Sequence, residues 1–101
     1  MCKSFIFETI FSAVISETEI SREQIESHNK QADVVEARRM LLLYLQRAGF
    51  YPSQIARLLG QSRQSVNSSL KSCKNLSKIA KIYCKKLDTT LAEYLLPPPK
   101  P

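Results

Sequence analysis

Three residues at fixed spacing constrain the fold of this chain more than any other feature of its sequence. Ala56, Gly60 and Val66 are separated by three and then five residues, within the stretch from Pro52 to Lys74. We expect Ala56 to lie where two short helices cross and Gly60 to form the turn between them, where a positive φ needs no Cβ. Val66 would then enter the core that the two helices share. This spacing predicts a helix-turn-helix, although any short helical hairpin could carry it.

Apolar residues around these three positions support two amphipathic helices. Ile55, Leu58 and Leu59 give the first helix a stripe expected to be buried. Leu70 and Cys73 continue the stripe of the second helix at helical spacing.

Charge is distributed unevenly along the chain. Residues 1–36 carry seven acidic residues against three basic ones, whereas residues 37–86 carry eleven basic residues and no acidic one. The chain as a whole has a net charge of +6. A long acid-free segment centred on a helix-turn-helix is expected of a surface that binds phosphates. The alternative is a solvated basic surface that aids solubility.

The length and composition favour a single all-α domain, a class in which we expect about six helices around a central one. A chain of 101 residues has room for one small core, and we assign it to residues 1–96. Two glycines are too few for a turn-rich all-β fold. The proline-rich tail, residues 97–101, cannot be helical and is expected to be disordered, with a polyproline ligand as the alternative.

Capping patterns divide the chain into helices. Ser21 with Gln24, and Asp33 with Glu36, predict capping boxes, and Gly49 is expected to end the helix before it. The predicted elements are, in chain order, Lys3–Ile15, a link over Ser16–Ile20, a short helix after Ser21 ending near His28, Val34–Ala48, a fourth helix from Pro52, a fifth from the Ser62 cap to about Asn75, a sixth from about Ser77, and a last turn capped by Thr90 and Glu93 that ends at Leu95.

The third and sixth helices differ in the width of their apolar surface. The third is apolar on more than one side, which predicts a central helix whose polar edge holds Arg38, Arg39 and Arg47. In the sixth we expect four residues to face inward, namely Ile79, Ile82, Tyr83 and Leu87. Lysines at positions 71, 74, 78, 81 and 85 predict a basic edge along the fifth and sixth helices.

Several classes of function have little support in the sequence. There is no Walker-type phosphate loop, so an ATPase is excluded, and a lone His28 leaves little material for catalysis. Cys2, Cys73 and Cys84 form no CxxC pair, so we expect no metal, cofactor or disulfide and a reducing, cytoplasmic location. The apolar run at residues 4–16 is interrupted by Glu8, which favours an amphipathic helix over a signal peptide. No transmembrane segment is predicted.

Residues 34–60 resemble the C-terminal DNA-binding domain of the bacterial replication initiator DnaA. The resemblance rests on Val34, Val35, Ala37, Arg38, Tyr44, Leu45, Pro52, Ile55, Arg57 and Gly60, and it continues to Val66. It implies an all-α domain of the Trp-repressor-like type, whose helix-turn-helix reads a replication origin. The ATPase part of the initiator has no counterpart here, so origin melting is not expected of this chain.

The chain departs from that family where bases are read. The family typically has Gly-Arg-Asp-His-Thr-Thr-Val after the turn, whereas residues 60–66 here are Gly-Gln-Ser-Arg-Gln-Ser-Val. Ser65 keeps a hydroxyl for a phosphate contact, and the phosphate-facing pair is retained as Arg38 and Arg39. Ala32 stands where the family places a minor-groove arginine, with only Lys30 close by. The resemblance therefore implies the scaffold and the backbone contacts, but not the origin sequence.

The side chains of the second motif helix still suit base contact. Arg63 can donate two hydrogen bonds to guanine, and Gln64 or Asn67 can pair with adenine, unless these are ordinary exposed polar residues. The predicted base-reading residues are Ser62, Arg63, Gln64 and Asn67. The predicted phosphate-binding residues are Lys30, Arg38, Arg39, Pro52, Ser65, Ser68, Lys71 and Lys74.

Two functions from different classes follow from these features. The first is a double-stranded DNA-binding protein with its own sequence preference, in a regulatory, replication-accessory or mobile-element role. The second is a protein-interaction module in which the helix-turn-helix docks an acidic partner. The acidic first third and the basic remainder could also favour weak self-association, and an enzyme is a distant third.

Overall fold

The computed structural model describes residues 3–27, 31–71 and 76–95 of the chain. Within these ranges there is no strand, and the prediction of an all-α protein is confirmed. The predicted tail at 97–101 lies outside them, as do His28, Lys30, Cys73 and Lys74. The elements are α1 (Lys3–Thr18), α2 (Arg22–Glu26), α3 (Ala32–Arg47), α4 (Pro52–Leu59), α5 (Arg63–Lys71), α6 (Lys78–Thr90) and a 3₁₀ turn (Ala92–Tyr94).

Helix α3 is at the centre of the molecule and contacts each of the other five helices. Its apolar surface is wide because seven of its side chains are buried, and these are Val34, Ala37, Met40, Leu41, Leu42, Tyr44 and Leu45. A helix with apolar residues on most sides has to be covered by neighbours on most sides. The wide apolar surface predicted a central helix, and α3 has that position in the structure.

The end of α3 follows the predicted stop at Gly49. The Phe50 N–H donates to the Leu45 carbonyl and the Gly49 N–H to the Gln46 carbonyl, each at 3.0 Å. Gly49 has φ 100°, which favours a residue without a Cβ. This pair of bonds is a Schellman motif, and it directs the chain from α3 into α4.

The start of α3 corrects a predicted cap. The helix begins at Ala32 after Gln31, whose side chain makes no capping bond, so Asp33 lies inside the first turn rather than before it. There its carboxylate accepts from the Val34 N–H at 2.9 Å and still interacts favourably with the helix dipole. Glu36 accepts instead from the Ser77 hydroxyl at 2.7 Å, so the predicted capping box does not form.

The predicted end of α1 is wrong, whereas the predicted start of α2 is confirmed. Helix α1 continues to Thr18 rather than ending at Ile15, and the chain then reverses at Glu19, whose φ is 58°. The predicted link over Ser16–Ile20 is therefore mostly helical. The capping box of Ser21 and Gln24 is confirmed, with both reciprocal bonds at 3.2 Å.

The orientation of α6 differs from the prediction. Leu87 is buried and Tyr83 is half-buried as expected, but Ile79 and Ile82 are 63% and 55% exposed. The Tyr44 hydroxyl of α3 donates to Asp88 Oδ1 at 2.6 Å and lies 2.9 Å from the Cys84 carbonyl. This polar anchor fixes the rotation of α6 and turns both isoleucines outward.

The last predicted cap is also wrong. Thr90 belongs to the final turn of α6, and the 3₁₀ turn that follows is preceded by Leu91 without a side-chain cap. Because α6 continues past the predicted boundary, Thr90 and Glu93 cannot form a capping box. In the described part of the chain, no helix is both long enough and apolar enough to cross a membrane.

Candidate nucleic-acid interface

Helices α4 and α5 pack against each other across a short turn. Ile55, Ala56 and Val66 are buried between them and the rest of the core. Gly60 has φ 67°, and the following Gln61 N–H donates to the Ala56 carbonyl at 3.0 Å. A Cβ at Gly60 would meet no atom within 4 Å, so the backbone angle rather than space favours glycine. Leu58, expected in the buried stripe, is 43% exposed because it lies on the outer side of α4.

The starts of both helices are fixed by local hydrogen bonds. Pro52 is the first residue of α4, where its missing N–H leaves no bond unmade, and the preceding Tyr51 N–H donates to Gln54 Oε1 at 2.9 Å. The Ser65 N–H donates to Ser62 Oγ at 3.1 Å, so Ser62 caps α5 as predicted. Ser62 therefore has a structural task at the end of α5 where base contact was predicted.

One side of α5 is polar and exposed. Gln64, Ser68 and Lys71 lie at spacings of four and three, which places them on one face of a helix, and all three are exposed. Ser65 and Arg63 are exposed at the first turn, and Asn67 is half-buried one turn after Arg63. Val66 and Leu70 face the opposite way, toward the core. The structure thus brings six predicted residues onto the surface of one helix.

Arg63 and Lys71 are two exposed cations of α5. Neither forms a hydrogen bond or an ion pair with any residue in the three described ranges. The α5 segment also contains no acidic residue. The helix therefore offers two cations and a set of hydrogen-bonding side chains to a ligand.

Arg38, a predicted phosphate contact, makes structural bonds. Its Nε donates to the Ile25 carbonyl at 2.8 Å and its Nη2 to the Ser27 carbonyl at 2.6 Å. These carbonyls lie at the C-terminal end of α2, where a cation satisfies unpaired acceptors. Partial burial lowers the pKa of Arg38. Arg39 is half-buried on the same helix, and phosphate contacts by either arginine stay predictions.

Arg47 is held by an ion pair. Its Nη1 donates to Asp88 Oδ1 at 2.7 Å, and its guanidinium lies 5.1 Å from the centre of the Tyr44 ring. Burial opposes ionisation of Asp88, but the hydrogen bonds from Tyr44 and Arg47 outweigh it and lower the pKa of this carboxyl. Burial, with the same hydrogen bond, raises the pKa of Tyr44 well above its usual range. This cluster stabilises the α3–α6 contact.

A groove beside α4 brings in residues that the sequence reading missed. It has a volume of about 330 Å³ and is lined by Lys3, Ser4, Phe50, Ser53, Gln54, Arg57 and Leu58. Lys3 Nζ donates to Gln54 Oε1 at 3.1 Å and lies 5.3 Å from the centre of the Phe50 ring. Lys3 belongs to the acidic third of the sequence, and only the packing of α1 against the core brings it to α4. No local sequence signal marks it.

The remaining predicted contacts, Lys30 and Lys74, lie outside the described residues. Within the ranges 3–27, 31–71 and 76–95, no three histidine, cysteine, aspartate or glutamate side chains gather as metal ligands. Comparisons of the chain with protein-family models, curated proteins and solved structures find no match.

Proposed function

We propose that this chain binds double-stranded DNA through α4 and α5, used as a helix-turn-helix, in a cytoplasmic regulatory or replication-accessory role. One observation carries the proposal. Helix α5 presents an exposed, acid-free face that begins at Arg63, while its apolar side is buried against α3 and α4. Such a helix can enter the major groove without bringing a carboxylate near the phosphates.

Arg63 is best placed to read a base. As the first residue of α5 it can extend past the helix end, where recognition helices of this type contact base edges. Its guanidinium can donate two bonds to O6 and N7 of guanine. Gln64 lies next to it, and Asn67 follows one turn later on the same side. These residues give the domain a sequence preference.

Lys71 and the groove beside α4 supply the phosphate contacts. Lys71 is eight residues beyond Arg63, which is about 12 Å along a helix, so it reaches the backbone rather than the bases. Arg57 and Lys3 line the groove beside α4, the first helix of the motif. Ser65 and Ser68 add short donors on the exposed side of α5. These cations come from α1, α4 and the last turn of α5, outside the base-reading first turn of α5.

The resemblance to the DnaA C-terminal domain supports the same function and limits it. Residues that would carry the shared scaffold, such as Ala37, Tyr44 and Ile55, are buried. The changed residues at 61–65 include the predicted base-reading end of α5. The proposal is therefore a Trp-repressor-like DNA-binding domain that prefers a sequence other than the initiator's site, and it includes no catalytic activity.

A titration of duplex DNA of random sequence at several salt concentrations tests the proposal. With roughly four to six phosphates neutralised, the logarithm of the binding constant should fall with the logarithm of salt at a slope of about −4 to −5. Selection from random duplexes should then yield a preferred site. Absence of binding at low salt, or binding that does not respond to salt, would contradict the proposal.

A second candidate is docking of an acidic protein segment on the same surface. Tyr51 is 68% exposed and Leu58 is 43% exposed beside the cations of the α4 groove. Apolar groups next to cations suit an acidic peptide with apolar anchors, and phosphates make no use of them. DNA binding that survives Leu58→Ser but not Arg63→Ala would favour the first candidate over this one.

A further inference from the structure

Two isoleucines on α6 face solvent instead of the core. Ile79 and Ile82 are 63% and 55% exposed, and they lie three residues apart on one side of the helix. Single exposed apolar side chains are common, but a neighbouring pair of this size beside an apolar groove indicates a contact surface. The DNA-binding proposal makes no use of them.

Ile79 helps to line a groove between the starts of α3 and α6, and Ile82 lies one turn further along α6. The groove has a volume of about 470 Å³ and its apolar lining includes Ile20, Ala37, Met40 and Tyr83. Asp33 and Glu36 of α3 line the same groove. The Ser77 hydroxyl, bonded to Glu36 at 2.7 Å, fixes the start of α6 against this acidic side. The surface thus combines an apolar recess with an acidic wall.

The isoleucines themselves are surrounded by lysines. Lys78 precedes Ile79, and Lys86 follows Ile82 by four residues on the same side of the helix. Both lysines are exposed, and neither has an ion-pair partner in the described part of the chain. The protruding apolar pair is therefore bordered by positive charge, while the recess next to it is bordered by negative charge.

We propose that this surface pairs with the same surface of a second copy of the chain, related by a two-fold axis. A two-fold interface needs one patch that complements itself. Here the patch holds both a protruding apolar pair and an apolar recess, and both a basic and an acidic border. The isoleucines of one copy would enter the recess of the other, with Lys78 and Lys86 facing Asp33 and Glu36.

Other occupants fit this surface less well. DNA or an acidic peptide would be attracted to Lys78 and Lys86, but in the groove itself it would meet the carboxylates of Asp33 and Glu36. The described side of α5 that carries Gln64, Ser68 and Lys71 contributes no residue to the groove. The inference therefore does not depend on the proposed function, and pairing would leave that side of each copy accessible.

Sedimentation velocity of the full chain without DNA tests the inference. As concentration rises, the weight-average mass should approach twice the 11.5 kDa of one chain. The double variant Ile79→Ser/Ile82→Ser should associate about tenfold more weakly or not at all, while its helical circular dichroism and melting temperature stay near those of the parent. Leu58→Ser, which changes an exposed apolar residue elsewhere, should associate like the parent.

A charge variant separates pairing from non-specific association. Lys86→Glu lowers the net charge of the chain and would favour non-specific association, but it places a carboxylate opposite the acidic wall and should weaken the specific pair. A parent that stays monomeric throughout, an unaffected Ile79→Ser/Ile82→Ser variant, or stronger association of Lys86→Glu would each overturn the inference. A DNA titration, run separately, reports on the proposed function alone.

Discussion

The basic residues of the α1–α3 region and those of α4 and α5 differ in what they contact. Arg22 pairs with Glu8 at 2.7 Å and Glu26 at 3.0 Å, and Arg38 donates to the carbonyls that end α2. Arg57 and Arg63, in contrast, form no hydrogen bond or ion pair with any described residue.

This difference changes how the charge pattern of the sequence is understood. From the sequence alone, all basic residues between positions 37 and 86 are assigned to one phosphate-binding surface. In the structure, Arg38 and Arg47 stabilise contacts between helices. The guanidinium of Arg38 donates to a carbonyl of α2, and that of Arg47 pairs with Asp88. Among the described residues of the candidate interface, the cations without a partner lie on α4 and α5, at Arg57, Arg63 and Lys71, so position rather than number defines this interface.

The largest expected effect comes from the core that supports the α4–α5 surface. Val66→Asp would bury an unpaired carboxylate against α3 and α4, and should lower the free energy of unfolding by about 3 kcal/mol or more. Thermal unfolding followed by circular dichroism measures the change. Gln64→Asp, at an exposed position of the same helix, is the control and should melt near the parent. A Val66→Asp variant that melts like the parent would contradict the packing of α5.

Arg38 and Arg63 test the comparison directly. Arg38→Ala leaves the carbonyls at the end of α2 without their charged donor and should lower the free energy of unfolding by about 1.5–3 kcal/mol. Arg63→Ala removes no described contact, so its stability should match that of the parent. On a selected DNA site, however, Arg63→Ala should lose about 1–3 kcal/mol of discrimination at one base pair.

Arg38→Ala should therefore change the stability of the protein, and Arg63→Ala its discrimination between DNA sequences. Chemical denaturation gives the stability of each variant, and competition between selected and altered duplexes gives the discrimination. If Arg38→Ala is as stable as the parent but lowers the salt slope, Arg38 binds phosphate as the sequence predicted. If Arg63→Ala keeps the base preference of the parent, Arg63 does not face the bases in the major groove of the DNA.

The contribution of Asp88 to the stability of the α3–α6 contact should depend on pH. The pKa of Asp88 is lowered in the folded chain from an ordinary value of 3.8, so the unfolded chain binds the proton first. This part of the stability is present above pH 3.8 and is lost as pH falls through the lower pKa of the folded state. Asp88→Asn should lose about 1 kcal/mol at neutral pH and show a weaker loss of stability in acid.

Urea unfolding of the parent and Asp88→Asn between neutral pH and pH 3 measures this difference. Thr90→Ala, at an exposed position of α6 that carries no ionisable group, is the control and should keep the parental pH dependence. Parallel curves for the parent and Asp88→Asn would show that the bonds to Tyr44 and Arg47 contribute nothing to stability.

Lys3→Ala is expected to have the smallest effect. If Lys3 contacts one phosphate from the groove beside α4, its removal should reduce the magnitude of the salt slope by about 0.9. Loss of its bond to Gln54 is an exposed change with little effect on stability. Lys85→Ala, an exposed lysine of α6 away from the groove, is the matched control. Equal slopes for Lys3→Ala and the parent would restrict the interface to α4 and α5.

Those parts of the fold that depend on near neighbours in sequence could be predicted. Helix starts and ends were predicted where the residues that form them lie within five positions of one another. These are the Ser21 capping box, the Gly49 stop, the Pro52 start and the Ser62 cap, and the all-α class follows from such local patterns. The outward rotation of α6 could not be predicted, because it depends on Tyr44 and Asp88, which are 44 residues apart. The predicted capping box of Asp33 and Glu36 was wrong because α3 already begins at Ala32, and Glu36 bonds instead to Ser77, 41 residues away.

The same limit applies to the candidate site. The residues of α5 could be named because one helix carries them in order. Lys3 could not, because 51 residues separate it from Gln54. Nor could the sequence show that Arg38 is engaged with α2, since an arginine on a polar helix edge reads the same whether it faces carbonyls or solvent.

The bonds around α2 have a consequence for how the protein opens locally. A helix of five residues has almost no stability alone, yet α2 is held by its capping box, by the buried Ile25 and by the guanidinium of Arg38. Its backbone amides should therefore exchange with deuterium together with those of α3 rather than as an independently fraying end. The shortest α-helix in the described part of the chain then opens together with the central helix rather than before it.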